Sequence, residues 1–282
     1  MTLSIVIVSY NARAHLESCL ASLIEAPVGI SHDITVVDNA STDGSASAVR
    51  HRWPQIHVIE QRQNIGFAAA NNIGIRATKG NLILLLNSDT IVSHGAVDAL
   101  VSRLNAHPEA AVAGPRLVDG SGGLELSFGL MISPIAELRQ KVLTELLARR
   151  VGTAVRWAER VSRQERYVDW VSGACLLVYR KDAEAVGLLD ERFFLYTEDV
   201  DFCAAIRARR RKILFTPEAQ VTHLRGRSRA AVPGGMHDAY RRSQLAFYQK
   251  HHPHWEPLLR MYLRVKGQLP SPSARDIENA PR

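Results

Sequence analysis

A chain of 282 residues is long enough for one sizeable α/β domain or a core with a small extension, and 46% hydrophobic residues exclude disorder over most of it. The net charge is +7, but no zinc-ligand spacing or aromatic RNA-binding motif accompanies it, so no specific nucleic-acid partner is expected. Three cysteines without paired spacing read as reduced core thiols; with no apolar run long enough for a bilayer and no signal segment before the first strand, a cytoplasmic protein is expected.

Leu3 to Val8 is an apolar, β-branched run ending at Ser9-Tyr10-Asn11, and Leu16, Cys19, Leu20 and Leu23 then recur on one helical face. The turn between them, Ser9 to His15, holds no glycine, which excludes the glycine fingerprint of dinucleotide-dependent oxidoreductases; a phosphate-loop run is absent too. A second strand, Ile34 to Asp38, leads into Asn39-Ala-Ser-Thr-Asp-Gly-Ser45, turn chemistry in which Ser41 and Asp43 can cap a following helix. Asp38 stands where a carboxylate meets a ribose or base in βαβ nucleotide sites. It can equally close its own strand by bonding loop N–H groups.

Leu82 to Leu86 form a further apolar run, bounded by Gly80 and by Asn87-Ser88-Asp89, and read as a buried parallel strand. A carboxylate at the carboxyl end of such a strand suits a hard divalent cation carrying a diphosphate. On its own the tripeptide is an ordinary polar cap. Ala110 to Val118 is predicted as a strand and Asp119-Gly-Ser-Gly-Gly123 as a flexible turn.

From Ser133 to Arg166, apolar Ile135, Leu138, Val142, Leu146, Leu147, Val151 and Val155 recur near helical spacing. Arg139, Lys141, Arg149, Arg150, Arg156 and Arg160 lie among them. This basic amphipathic helix reads either as an element meeting an anionic membrane or as a helix packed on the core with solvated arginines. Trp170 to Tyr179 returns as a strand, with Trp170 readable as core packing.

In Phe194-Leu-Tyr-Thr-Glu-Asp-Val-Asp-Phe-Cys203, the acids Glu198, Asp199 and Asp201 precede an amphipathic helix over Phe202 to Arg211 and occupy its first turn. The helix dipole and free N–H groups favour carboxylates there whatever their role. Arg225-Gly-Arg-Ser-Arg229 and Pro233-Gly-Gly235 read as a mobile loop from which Arg225 or Arg227 could reach a phosphate. Helices near 236–251 and 255–266 follow, then a polar, proline-containing tail expected to lack order.

Taken in order, the Ser9-Tyr-Asn11 strand end, Val37-Asp-Asn-Ala-Ser-Thr-Asp-Gly-Ser45, Asn64-Ile-Gly-Phe67, Asn87-Ser-Asp89, Gly173 to Arg180, Phe194 to Cys203 and Val221-Thr-His-Leu-Arg-Gly-Arg-Ser228 resemble the inverting family 2 glycosyltransferases. The resemblance covers residues 3–250 and is closest to bacterial rhamnosyl- and galactofuranosyltransferases of cell-wall and O-antigen assembly. It implies a GT-A fold, an α/β class in which one Rossmann-like domain surrounds a central mixed, mostly parallel sheet flanked by helices. The domain would span 1–266, with a nucleotide-sugar-binding half at 1–125, a helical insertion at 133–166, a catalytic and acceptor half at 167–250 and a tail at 267–282.

The resemblance also implies roles. Asp199 would be the catalytic base, with Glu198 beside it. Asp38 would meet the donor nucleotide, with Ser9 and Asn11 in the same pocket. Asn71, Asn87, Ser88 and Arg227 would complete the donor site, although many relatives carry Arg where Asn71 stands. Asp89 and His223 would hold a divalent metal, Mg2+ or Mn2+, and Asn87 replaces the first acid of the usual D-x-D motif. Trp170, Ser172 and Gly173 would lie on the acceptor side. The implied partners are a dTDP- or UDP-linked sugar and a glycan or lipid-linked glycan acceptor, with the protein peripheral at the inner face of the cell membrane. dTDP-rhamnose is the expected donor, a UDP-hexose such as UDP-galactofuranose the alternative. An inactive scaffold relative is the non-enzyme alternative, against which the presence of both Asp89 and Asp199 argues.

Overall fold

All seven residues of the first strand, β1 (Leu3–Ser9), are buried, because parallel neighbours on both edges and helices on both faces leave no side of it to solvent. The computed structural model describes residues 1–25, 28–224 and 235–271. After β1 come α1 (Arg13–Glu25), β2 (His32–Asp38), α2 (Ser45–Arg52), β3 (His57–Glu60), α3 (Phe67–Ala77) and β4 (Leu82–Asn87). The strands pair in parallel in the order β3-β2-β1-β4. Register sets Ser9 beside Asp38 and Val8 beside Asn87, so three polar strand ends share one rim of the sheet.

Next are β5 (Thr90–Val92), α4 (Ala96–Ala106), β6 (Ala110–Val118), β7 (Leu124–Glu125) and β8 (Phe128–Gly129). Then follow α5 (Pro134–Ala148), α6 (Gly152–Ser162), β9 (Arg166–Val168), β10 (Trp170–Val171), β11 (Cys175–Tyr179), α7 (Arg180–Ala185) and α8 (Glu198–Ala208). β12 (Lys212–His223), α9 (Gly235–His251) and α10 (Glu256–Val265) complete the described chain. β11 enters the sheet antiparallel between β4 and β6, while β12 runs parallel to β6. The sheet is therefore mixed and mostly parallel, in the order β3-β2-β1-β4-β11-β6-β12-β5.

Alternation along β1 divides the core. Leu3, Ile5 and Ile7 meet Leu16, Leu20 and Leu23 of α1 and Leu100 and Leu104 of α4 on one face. Val6 joins Ile75 of α3 and Phe202 and Ile206 of α8 on the other. Cys19, Cys175 and Cys203 are free and buried, as small core residues.

Three elements depart from the sequence expectation. The single helix over 133–166 is two helices, α5 and α6, separated at Arg149–Val151 where Arg150 turns left-handed with φ 51°. α5 starts on Ser133, whose Oγ accepts from Ala136 N at 3.2 Å, and Pro134 occupies its first turn, but no residue of α5 is buried. α6 does pack inward, through Ala154, Ala158 and Ser162. The strand over 170–179 is broken at Ser172–Ala174: β10 pairs with β8 in a separate ribbon and β11 joins the main sheet. The acid-bearing helix begins at Glu198 rather than Phe202, so the acids lie within it. No helix among the described residues is long and apolar enough to cross a membrane.

Candidate active site

Above the strand ends lies a cavity of about 500 Å³ walled by Asn87, Ser88 and Asp89 after β4, by Ser172 and Gly173, and by Phe194 to Asp199. A larger one of about 1020 Å³ opens beside it between α5, α9 and α10. Ser172, Tyr196, Thr197, Asp199 and Tyr240 line both and form the ridge between them. Trp170 lines the larger one, with its ring on Gly129 and its Nε1 donating to Leu130 O at 2.8 Å.

Asp199 is the best-held group of the ridge. Gly173 N donates to its Oδ2 at 2.7 Å, and Val200 N to its Oδ1 at 2.8 Å. A methyl on Gly173 would stand 3.2 Å from Asp199 Cβ, so the glycine permits the approach. The two residues before the acids, Tyr196 and Thr197, are both left-handed, with φ 71° and 63°. Non-glycine residues pay for that conformation, and such strain gathers at functional sites. Burial raises the pKa of both acids, Glu198 well above its ordinary value with the Asp199 charge adding to it. The backbone donors pull Asp199 the other way, whereas Glu198 is buried with Oε2 unpartnered. A shared proton therefore belongs on Glu198, leaving Asp199 the anion.

His223 reaches the site from the far end of the sheet. It pairs with Thr90 of β5, and Leu224 N donates to Asp89 O at 2.8 Å, which draws β12 against the turn after β4. His223 Nε2 lies 3.2 Å from Asp89 Oδ1, and Nδ1 lies 3.0 Å from Glu125 Oε1 on β7. Burial would lower the His223 pKa, but the hydrogen bonds and charges of Asp89 and Glu125 lift it to about 9. Burial likewise pushes Asp89 up, and His223 outweighs it and holds the carboxyl below its ordinary value. No group of three or more Cys, His, Asp or Glu side chains forms a metal cage among the described residues. Asp89 and His223 nonetheless fit a divalent ion that takes its other ligands from water and a diphosphate. With Nδ1 bonded to Glu125, Nε2 is the nitrogen that would meet such an ion, giving up its proton and its 3.2 Å contact with Asp89, and the Glu125 carboxylate fixes the ring. Glu125 escaped the sequence reading because it sits on a two-residue strand without periodicity.

Other expected residues divide. Asn87 Oδ1, Ser9 Oγ and Asp38 Oδ1 are buried and lack a hydrogen-bond partner. Burial raises the Asp38 pKa, and Ser41 opposes that with its hydroxyl and its N–H. Asn11 Oδ1 is taken by Thr42 N at 2.8 Å, and Asn11 N donates to Ser41 Oγ at 2.9 Å, so this side chain braces two loops. Asp43, a possible cap of α2, serves two helices: its Oδ1 accepts from Ser45 N, the first residue of α2, at 3.0 Å, and its Oδ2 from Arg13 N at the start of α1 at 2.9 Å, while the N-cap position itself is Gly44. Asn71 is buried in α3, with Nδ2 donating to Phe67 O at 3.0 Å and Oδ1 unpartnered. Ser9, Asn11, Asp38 and Asn71 are absent from the described residues that line the smaller cavity. Arg225 and Arg227 lie outside the described residues.

Sequence reasoning did not single out Asn39 and Asn64. Asn39 Nδ2 donates to Asn64 Oδ1 at 2.8 Å and its Oδ1 accepts from Ile65 N at 3.0 Å, which sets the cavity floor. Gly66, left-handed at φ 90°, lets Phe67 N donate to Phe194 O at 2.7 Å; an added methyl would meet that carbonyl oxygen at 2.7 Å.

Polar strand ends, a paired acid and imidazole, and a buried acid on a helix start thus gather at one rim of the sheet. A family model described as Glycosyl transferase family 2 matches residues 4–214, and the chain belongs to that family. It is 32% identical to the N-acetylglucosaminyl-diphospho-decaprenol L-rhamnosyltransferase of Mycobacterium tuberculosis over 95% of this chain and 94% of that protein. The low-salt glycan biosynthesis hexosyltransferase Agl10 of Haloferax volcanii is 27% identical over 75% of this chain and 62% of that one. Among solved structures, the mannosyltransferase PcManGT from Pyrobaculum calidifontis, in complex with GDP-Man and Mn2+, superposes with a TM-score of 0.59 at 19% identity, covering 91% of this chain and 67% of that one. TarS of S. aureus gives 0.57 at 14% identity, covering 79% of this chain and 60% of the solved one. The fold is GT-A.

Proposed function

We propose that this glycosyltransferase moves L-rhamnose from dTDP-rhamnose to a hydroxyl of a lipid-linked glycan, with inversion at the anomeric carbon. The observation that carries the reading is the position of Asp199 on the ridge between a smaller cavity at the polar strand ends and a larger, somewhat more apolar one. The first suits a nucleotide sugar and the second an acceptor. Asp199 takes the proton of the acceptor hydroxyl as its oxygen bonds to the anomeric carbon. The bond from that carbon to the diphosphate oxygen breaks on the opposite face. Base catalysis of this kind supplies about 10²–10⁴-fold.

Glu198, protonated, keeps a second negative charge away from the base. The buried, unpartnered Oδ1 of Asn87 on the cavity wall supports a donor role, because a ligand's N–H would satisfy it; the unpartnered atoms of Ser9 and Asp38 sit at the same strand ends behind that wall. Ser88 lines the same wall. The bonds of Asn11 within the protein support bracing over ligand contact, whereas Asn71 combines an Nδ2 bond to Phe67 O with a buried, unpartnered Oδ1. Asp89 and His223 would hold Mg2+ or Mn2+, the imidazole inclining the site to Mn2+. A bound ion supplies charge stabilisation to the departing diphosphate.

The choice of donor and acceptor is supported by the Mycobacterium tuberculosis relative, whose name specifies rhamnosyl transfer to a diphospho-decaprenol sugar. Trp170, Ser172 and Gly173 would face the acceptor. Contact with an anionic membrane at the cytoplasmic face is supported by exposed Ile135, Leu138 and Val142 on α5 beside Arg139 and Lys141. Co-sedimentation with anionic liposomes, lost at high salt, is the expected behaviour; no binding at low salt refutes the contact.

The test of activity is transfer from a panel of dTDP-rhamnose, UDP-galactofuranose, UDP-glucose and GDP-mannose, with and without Mn2+, with the product anomer read by NMR. Metal-dependent rhamnosyl transfer with inversion is expected. Selective use of a UDP-hexose overturns the donor, retention overturns the mechanism, and no transfer from any donor overturns the reading.

A further inference from the structure

The larger cavity exceeds what a sugar needs. At about 1020 Å³ it reaches the upper bound of ordinary ligand pockets, and it runs from Asp199 to the open edge between α5 and α10. Its chemistry changes along that path. At the ridge stand Asp199 and Tyr240, and the next residue in the chain, Arg241, also lines the wall. Arg241 spends Nη1 on Gln244 Oε1 at 2.8 Å and Nη2 on Gln268 Oε1 at 2.7 Å, while its Nε is buried without a partner. Neutral amides position this guanidinium, and Gln244 relays it to Glu137 Oε1 at 2.6 Å in the same wall; no carboxylate bonds it directly among the described residues, which leaves it able to take an anion.

Beyond Arg241 the lining is mixed: Glu137, Gln140, Lys141, Thr144 and Glu145 of α5 contribute polar groups to it, and apolar side chains make up the rest. Ile132 and Leu259 pack against the Phe193, Phe247 and Tyr248 cluster, and Leu138, Leu258 and Tyr262 form the outer lips. Those lips do not close on themselves. Leu138 is 64% exposed and Leu258 51%, and each belongs to a stripe: Ile135, Leu138 and Val142 on α5, and Leu258, Met261 and Val265 on α10. α5 buries no residue of its own and α10 only Leu263. Two helices with unpartnered apolar stripes thus flank one groove, and that groove leads inward past a cation to the candidate base.

We infer that this groove binds the diphosphate and hydrocarbon parts of the acceptor: the sugar against Asp199, the diphosphate against Arg241, and a long flexible chain laid between α5 and α10 and leaving over Leu138 and Leu258 toward the bilayer. The inference rests on the lipid-linked acceptor proposed above and assigns it residues. Arg241 is a positioning residue for the acceptor and touches no reacting atom.

The test is a binding measurement on the full chain, followed through the fluorescence of Trp255 and Trp170 in the groove wall. EDTA is included to silence diphosphate binding at the metal-dependent donor site. Farnesyl diphosphate is expected to bind more than about tenfold tighter than dimethylallyl diphosphate, because the longer chain buries more apolar surface. Arg241→Gln should weaken farnesyl diphosphate by about tenfold, and Leu258→Asp, at an exposed position that spares folding, by a similar factor. The Trp255→Phe variant should lose most of the signal. Equal affinity for the two diphosphates, or farnesyl diphosphate binding untouched by both Arg241→Gln and Leu258→Asp, overturns the inference. Chain-dependent binding in a protein that transfers sugar to no glycosyl diphosphate lipid upholds the groove and overturns the function. Transfer to such lipids with no dependence on chain length or on these residues does the reverse.

Discussion

Two isosteric substitutions, Asp199→Asn and Glu198→Gln, separate the roles of the adjacent acids. Asp199→Asn removes the proton acceptor while leaving the shape of the ridge. Loss of base catalysis predicts a fall in kcat of about 10²–10⁴, equivalent to about 2.7–5.4 kcal/mol of transition-state stabilisation. The fold should tolerate it. An amide still accepts from one of Gly173 N and Val200 N, and the lost second bond, worth about 1.5–3 kcal/mol when the acceptor is charged, is offset by no longer burying that charge. Donor affinity should stay as in the wild type, because the diphosphate end of the cavity is untouched. Glu198→Gln mimics the protonated acid and should keep kcat within about tenfold of the wild type. The assay is steady-state release of nucleoside diphosphate at saturating donor, with donor binding by calorimetry as control. If Asp199→Asn kept most of its turnover, or Glu198→Gln proved the more damaging of the two, the assignment of base and proton would be wrong.

The same Glu198→Gln variant has a stability signature. Burial lifts the folded-state pKa of Glu198 above its ordinary 4.5, so the cost is absent below that value and grows as pH rises through the folded one. Thermal melts should therefore show the variant gaining on the wild type at about pH 8 but not at about pH 4; equal gains at both would contradict a buried, proton-holding Glu198. Replacing Glu125 by Gln frees the His223 ring and should raise the Mn2+ needed for half-maximal donor binding by about 10–100-fold, read by calorimetric titration. An unchanged metal requirement would remove Glu125 from the site. Gly66→Ala forces a methyl toward the Phe194 carbonyl in a left-handed backbone and should cost about 1–3 kcal/mol in urea unfolding, with weaker donor binding. Wild-type stability there would mean that the 194–197 segment does not depend on this approach.

The nucleotide half was legible because its signals are local. Leu82 to Leu86 could be read as a fully buried strand, and a strand in that setting puts Asp89 at a ligand-binding rim. His223 entered through the motif around it, but its partner Glu125 could not. That contact needs β7 on β6, β12 beside β6, and β5 on the far edge of β12, pairings that no short window of sequence contains. Asn11 was ambiguous for a related reason: a short amide at a strand end suits a ligand or a neighbouring loop equally, and here its Oδ1 accepts from Thr42 N. The break between α5 and α6 turns on Arg150 in a left-handed conformation, and Gly152 at the start of α6 is the one residue that marks it, so the periodic pattern runs across it. The unfilled apolar edges of α5 and α10 were half visible as amphipathic pattern, but that Leu138 and Leu258 of those edges line one groove is a tertiary fact.

The antiparallel insertion of β11 has a consequence for how this chemistry can change over time. Its amino end lies against the carboxyl end of β4, Cys175 opposite Leu86, and Asn87 N donates to Ala174 O at 3.0 Å. The wall that would grip the leaving group and the loop that props the attacking side are thus gauged by one backbone ladder. In the proposed mechanism the in-line stroke would be a property of the ladder's spacing, insensitive to drift in the side chains of α5, α9 and α10. Descendants of this chain could exchange one acceptor for another by rewriting those helices without retiming the displacement. A slip of one residue between β4 and β11 would mis-set the stroke for every acceptor at once.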